Sequence, residues 1–216
     1  LAISIALVRR GALARAPRRA CRDARFHAPL RTYPCLARVL ARGAAIRREA
    51  LRLANGWRPW PEEALVARGA WSVVPFFGFG EWVPWSCAAC PALARVLRRL
   101  PGLRTAILSR LAPGTELTPH QGWAALANRV LRCHYVLRAE PGACYIQVEA
   151  ERVVVAEGGL YVFDDAKPHA AGNLGATARV VLLLDLDRPA GVCAGASDVA
   201  LTTELEQFRA AARGGV

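Results

Sequence analysis

The sequence predicts a mainly β fold with flanking helices, closed as a barrel or a double-sheet jelly roll. Three observations carry this expectation. The segments 105–111, 130–138, 144–148, 152–155, 160–163 and 178–185 are short apolar runs of strand length. Turn residues separate them: Pro113-Gly114, Pro141-Gly142, Gly158-Gly159 and the stretch Gly172 to Gly175, at the close, regular spacing of an all-β domain. No gap carries the helix that a parallel crossover needs, which argues against an alternating α/β sheet. At 216 residues and 23.3 kDa, 54% hydrophobic and 21% charged, the chain can bury one substantial core, and the composition excludes wholly disordered or fibrous classes.

In chain order, residues 1–30 read as an irregular basic arm or the remnant of a targeting or anchor segment, and residues 31–216 as one domain. The first eight residues are apolar but far short of the roughly 20 needed to span a bilayer, and Arg9, Arg10, Arg15, Arg18 and Arg19 follow them. An anchor end in the secretory pathway, an organellar segment and a cytoplasmic tail all remain open for this arm, and so does membrane association through it. Residues 36–55 form an amphipathic helix ended at Asn55-Gly56. Residues 57–85, rich in Trp, Phe, Gly and Pro, read as short strands and loops, with 71–79 the best strand. Pro91 opens a short helix to Leu100, stopped by Pro101-Gly102, and 199–213 is a closing helix.

The net charge of +12 is uneven. Residues 1–60 hold 14 arginines against Asp23 and Glu49, whereas the rest of the chain balances 15 basic with 15 acidic residues. A nucleic-acid partner is not expected from so local an excess, and nothing in the sequence sets the oligomeric state. Seven cysteines, an odd number, do not indicate a full disulfide framework, and Cys87-Ala-Ala-Cys90 has no second such pair, so buried or incidental thiols are the favoured reading.

Three of four histidines fall in the β-rich half. His120 lies at the end of one run, in Thr-Pro-His-Gln-Gly, and His169 closely follows another, after Phe-Asp-Asp-Ala-Lys-Pro. Both could converge at one mouth of a barrel, where neutral imidazoles suit a divalent transition metal, and Asp164-Asp165 could orient an imidazole or bound water. Arg179 opens a run apolar enough to be a central strand. A guanidinium pointing inward there needs an anion, supplied by a protein carboxylate or by a small carboxylate ligand. Arg132 and His134 face one side of a strand by the period of two, and Ser109 could add a hydroxyl.

Together, the segments 108–122, 131–137 and 157–173, with Arg179 and 185–189, resemble the aspartyl/asparaginyl β-hydroxylase-like family of Fe(II)- and 2-oxoglutarate-dependent oxygenases. The resemblance runs from about residue 65 to about 190, with Gly69-Ala-Trp71-Ser upstream. It implies a double-stranded β-helix (jelly roll, cupin-like) in which His120 and His169 bind Fe(II) and Arg179 grips 2-oxoglutarate. Trp71, Ser109, Arg132 and His134 would line the cosubstrate pocket. Gly122 stands where wider relatives carry a metal-binding carboxylate, so the third protein position would be vacant, with a water held by Asp165. The implied activity is O₂-dependent hydroxylation of an unactivated C–H bond, with Asp or Asn side chains of peptides or proteins as the first expectation and lipid acyl chains as the alternative. A non-catalytic jelly-roll binding module is the competing class. The segment from Gly122 to Arg132 is longer than the family pattern.

Overall fold

The computed structural model describes residues 21–213; the apolar start and the arginines up to Arg19 lie outside the described residues. Strand Phe26–His27 (β1) leads into helices Pro29–Thr32 (α1), Ala37–Ala41 (α2) and Gly43–Arg52 (α3). The single helix expected over 36–55 is thus two, broken at Arg42, whose φ of −111° and ψ of 9° leave the helical range. Next to the break, a Cβ on Gly43 would lie 2.1 Å from the Tyr135 hydroxyl. Only glycine fits against that ring, and the reset lets Val39 and Ile46 both reach the core.

The aromatic stretch that follows folds as Arg58–Pro59 (β2), Val66–Arg68 (β3), Trp71–Gly78 (β4) and Glu81–Trp82 (β5), then helices Pro84–Ala89 (α4) and Pro91–Leu97 (α5). Each of these helices opens on a proline, whose missing N–H costs nothing in a first turn. Cys87 and Cys90 are free thiols here; Cys90 is fully buried, and burial pushes its thiol up to about 12.

The β-rich half comprises Leu103–Leu111 (β6), Thr115–Leu117 (β7), helix Ala124–Ala127 (α6), Val130–Arg138 (β8), Cys144–Val148 (β9), Glu151–Val154 (β10), Leu160–Phe163 (β11), His169–Asn173 (β12) and Arg179–Asp187 (β13), closed by helix Thr203–Arg213 (α7). The strands form two antiparallel sheets, one ordered β1-β11-β8-β13-β6-β4-β2 with β5 on β4, the other β10-β9-β12-β7-β3. Apolar side chains of both sheets interdigitate, as where Val136 and Val181 meet Ile146 and Val148, so the fold is a jelly roll. β13 lies between β8 and β6 and is buried on both faces. Val180, Leu182, Leu184 and Leu186 pack toward the helices, and Arg179, Leu183 and Asp185 line cavities on the inner face. Burial on both sides is why its sequence runs apolar without alternation.

Element ends shift by a few residues, as where the closing helix starts at Thr203 and the helix from Pro91 ends at Leu97, and two larger differences bear on the core. Gly172, expected in a turn, is inside β12, because the Tyr145 ring packs where its Cβ would be, 2.3 Å away. Residues 21–30, expected in the arm, belong to the fold. Phe26 and His27 pair with Phe163 and Val162, Arg22 bridges to Val192, and Cys21 is disulfide-bonded to Cys193.

Candidate active site

His120 follows β7 and His169 opens β12. Their backbones bond to each other in both directions (2.9 and 2.8 Å), which brings the two rings to a centroid distance of 4.3 Å. Each Nδ1 meets the carbonyl two residues back, Thr118 at 2.8 Å and Lys167 at 2.9 Å. A carbonyl can only accept, so Nδ1 carries the proton and Nε2 keeps its lone pair. Burial lowers His120 to about 3, with His169 adding to the effect, and burial followed by the charge of Arg132 lowers His169 to about 4. Both imidazoles are therefore neutral near pH 7, as metal ligation requires.

Asp165 lies beside this pair, its Oδ1 3.3 Å from His169 Nε2 and 2.5 Å from Arg132 Nη1. It is buried, and neither oxygen accepts a well-aligned hydrogen bond from the described residues. A Cβ on Gly122 would lie 1.9 Å from Asp165 Oδ2. The carboxylate thus occupies the space a side chain at 122 would take. Burial pushes the Asp165 carboxyl up, against the opposing pull of Arg132. Among the described residues no three His, Cys, Asp or Glu side chains form a metal cluster. The donors that fit a divalent ion are the two Nε2 atoms, with the unsatisfied Asp165 oxygens next to them.

Arg132, expected on the cosubstrate wall, lines both cavities beside His120, but its fork is engaged. Nε and Nη2 bond to Asp185 at 2.8 and 3.1 Å, across the β8–β13 register that sets the two residues opposite. Burial works against its charge, yet Asp165 and Asp185 outweigh that and hold its pKa above the ordinary value. Asp185 escaped the sequence reading as a partner, since only strand pairing brings it to Arg132 from 53 residues away. Beside the site, Arg188 pairs with Asp164 at 2.7 Å, so the two neighbouring acids serve different partners.

Arg179 is buried, and no carboxylate pairs with it among the described residues. Nη2 lies 3.3 Å from His134 Nδ1, and Nε has no acceptor. Burial lowers its pKa to about 10, and it keeps its charge at pH 7. It shares a narrow cavity of about 30 Å³ with Ser109, His134, His120, His169 and Trp71. Trp71 Nε1 donates to Ser109 Oγ at 2.9 Å, which leaves the Ser109 O–H free to donate inward. A five-carbon diacid is larger than this space, so its entry requires lining side chains to rotate.

Beside His120, and sharing Trp71, Arg132 and Leu183 with the narrow cavity, opens a cleft of about 680 Å³. Its walls are Trp60, Phe77, Phe79, Trp123, Leu183 and Phe208 among others, and Arg132, Asp165 and His120 stand at its base. These aromatic walls were not legible as a site; their only signal was the irregular Trp- and Phe-rich composition of 57–85. Trp123 comes with α6, in the segment that is longer than the family pattern.

Comparison with known proteins follows the same residues. Residues 41–189 match the family described as Aspartyl/Asparaginyl beta-hydroxylase. Aspartate beta-hydroxylase domain-containing protein 2 of Mus musculus is 36% identical over 133 residues, 56% of this chain and 37% of that protein. The ornithine lipid ester-linked acyl 2-hydroxylase of Rhizobium tropici is 35% identical over 121 residues, 55% of this chain and 42% of that protein. The chain thus matches about two fifths of the length of these relatives. A solved 2OG-Fe(II) oxygenase family oxidoreductase from Burkholderia pseudomallei is 17% identical, with a TM-score of 0.48, over 68% of this chain and 80% of that one. Since the family match covers more than two thirds of the sequence and runs through His120, Arg132, Asp165, His169 and Arg179, the chain belongs to the aspartyl/asparaginyl beta-hydroxylase family.

Proposed function

We propose that the protein is an Fe(II)- and 2-oxoglutarate-dependent dioxygenase that hydroxylates an unactivated C–H bond. The observation that carries this reading is Arg179, a buried guanidinium with no carboxylate partner among the described residues, in a cavity walled by two neutral histidines whose Nε2 lone pairs are free. A dicarboxylic acid supplies the missing anion. Arg179 takes its distal carboxylate by a forked contact, with Ser109 donating beside it. His120 and His169 would hold the metal, and Asp165, aimed at the same place, would accept a hydrogen bond from a metal-bound water. When bound, iron and 2-oxoglutarate supply oxidative chemistry, the cosubstrate passing to succinate and CO₂ as O₂ is consumed. The chain orients them and keeps bulk water from the reacting carbon.

For the substrate, the cleft favours an apolar chain over the Asp or Asn side chain named in the family's description. Its walls are largely aromatic and aliphatic, and its charged lining residues are Glu62, Glu81, Asp165, Asp185 and the doubly paired Arg132. An incoming aspartate carboxylate would meet more acid than base there. The likeness to the Rhizobium tropici acyl 2-hydroxylase supports the same reading. The test is succinate release with Fe(II), 2-oxoglutarate and O₂, read with product mass for a lipid and a peptide series. A gain of one oxygen on an acyl chain supports the proposal. Succinate release tied to peptide oxidation moves the substrate to the peptide class, and no dependence on 2-oxoglutarate removes the dioxygenase reading.

A further inference from the structure

Part of the charge excess at the start of the sequence joins arginines of residues 84–100 on one face of the described molecule. Helices α1 to α3 and α4 to α5, residues 29–52 and 84–100, hold nine arginines and one acid, Glu49. Residues 53–83 and 101–216 hold 13 basic and 15 acidic residues. The helices form one layer over the outer face of the larger sheet. Val39, Ile46, Leu93 and Leu97 enter the same core, and Glu49 is used to cap α5 through the Ala92 and Leu93 amides. What remains outward is cationic: Arg31, Arg38, Arg42, Arg48 and Arg52 are exposed, as are Arg95, Arg98 and Arg99. No carboxylate lies within ion-pair distance of these eight among the described residues.

Leu30 and Leu40, 46% and 38% exposed, stand in the same layer. Arginines interspersed with exposed leucines on helices match the interface of an anionic bilayer, where guanidinium groups meet lipid phosphates and the leucines enter the headgroup boundary. A nucleic-acid surface would use the arginines and leave the leucines without purpose. The layer also adjoins the cleft, since Arg98 stacks over Trp82 at 4.2 Å and Trp82 lines the cleft wall. We infer that this arginine-rich helical layer is a docking surface for an anionic lipid membrane. Docking does not depend on turnover, although under the acyl-chain reading the same bilayer would present the substrate.

The test is co-sedimentation of the full chain, without metal or cosubstrate, with phosphatidylcholine vesicles carrying about 30 mol% phosphatidylserine or none, at about 0.1 M salt. Binding is expected to the anionic vesicles only and to weaken as salt rises. Each arginine near the surface contributes about a fivefold change in partitioning, so Arg42→Gln, Arg48→Gln and Arg95→Gln together are expected to lower it about 100-fold. These side chains are exposed, and circular dichroism checks that the helices persist; Arg31→Gln, Arg52→Gln and Arg99→Gln form a second, independent set. Substituting Arg138 and Arg152, on the sheets, is expected to change binding far less. The proposal would be overturned by unchanged binding in both helix sets, equal binding to neutral vesicles, or displacement from anionic vesicles by a short RNA at equal phosphate. Binding that disappears only when Arg9, Arg10, Arg15, Arg18 and Arg19 are replaced would transfer the attraction to the arm and equally overturn it. Because no turnover is measured, failure of docking is distinct from failure of the dioxygenase reading.

Discussion

Gly122 and Asp165 form one unit although 43 positions separate them in the sequence. With Asp165 Oδ2 in the way of any Cβ at 122, Gly122→Ala is expected to destabilise the protein by about 1–3 kcal/mol through overpacking. In an Asp165→Ala background the same change should cost much less, a coupling that urea unfolding of the four proteins of the cycle would measure. At the next site inward, Arg179→Lys is expected to weaken 2-oxoglutarate binding and Arg179→Ala to abolish it, with metal affinity kept. Calorimetry with 2-oxoglutarate and a redox-inert divalent ion reads both, and unchanged cosubstrate binding would return Arg179 to a structural role.

His134 contributes to the pH dependence together with His27, His120 and His169, whose pKa values burial also lowers. Burial, with the neighbouring charge of Arg179, holds His134 well below its ordinary 6.5. The folded state thus binds fewer protons than the unfolded chain once the pH falls below about 6.5. Stability is complete above that pH and declines as the medium is acidified toward the folded pKa. His134→Gln, which cannot take up the proton, should flatten the decline by about 1.4 kcal/mol per pH unit between pH 6 and 5 in roughly that window. Metal-free protein unfolded in urea at several pH values provides the comparison, and parallel slopes would show His134 protonated in the fold.

Among the elements, β1 shows how far the domain extends toward its N-terminus. It adds a strand to the edge of the larger sheet at β11, and Cys21 ties the start of the described chain to Cys193, 172 residues on. A chain beginning at residue 21 keeps the strand and the disulfide and is the reference for the comparison. One beginning at residue 31 loses the strand and the disulfide together and should unfold several degrees lower, since a disulfide closing a long loop contributes about 2–4 kcal/mol. The arm's true inner boundary was hidden from the sequence because a two-residue strand has no period to detect. β12 was hidden for a different reason: its His-Ala-Ala-Gly-Asn sequence has no large apolar residue, and it is a strand because Tyr145 covers Gly172 and Asn173 bonds to three carbonyls. By contrast, β8, β9 and β11 were legible to the residue, as apolar runs bounded by turn pairs.

At the scale of the whole molecule, the two sheets enclose the histidines between a polar chamber and an apolar cleft, while the helices present eight exposed arginines outside. α7 closes one side of the cleft: Leu205 is buried, Phe208 tilts against Trp60 at 6.3 Å, and Thr202, just before the helix, donates to Glu62. Under the acyl-chain reading, Phe208→Ala should widen the cleft and shift the preferred chain length upward with little effect on 2-oxoglutarate binding. Product mass across an acyl series checks this, and an unchanged preference would place the chain away from α7.

The sequence by itself determined the fold class, and its resemblance to a family proposed the candidate set of site residues. Strand-length apolar runs between turn residues exclude most alternatives, and His120, His169 and Arg179 are recognisable because their neighbours form short, ordered motifs. Only the tertiary structure decided how those residues are used. Arg132 is bound to Asp185 because antiparallel pairing sets them opposite. Asp165 fills the space left by Gly122 because two loops close over each other, and no carboxylate among the described residues is folded within reach of Arg179. Composition, period and spacing act along the chain and are visible in one dimension, whereas pairing across strands, filling of space and isolation of a charge exist only when distant segments meet.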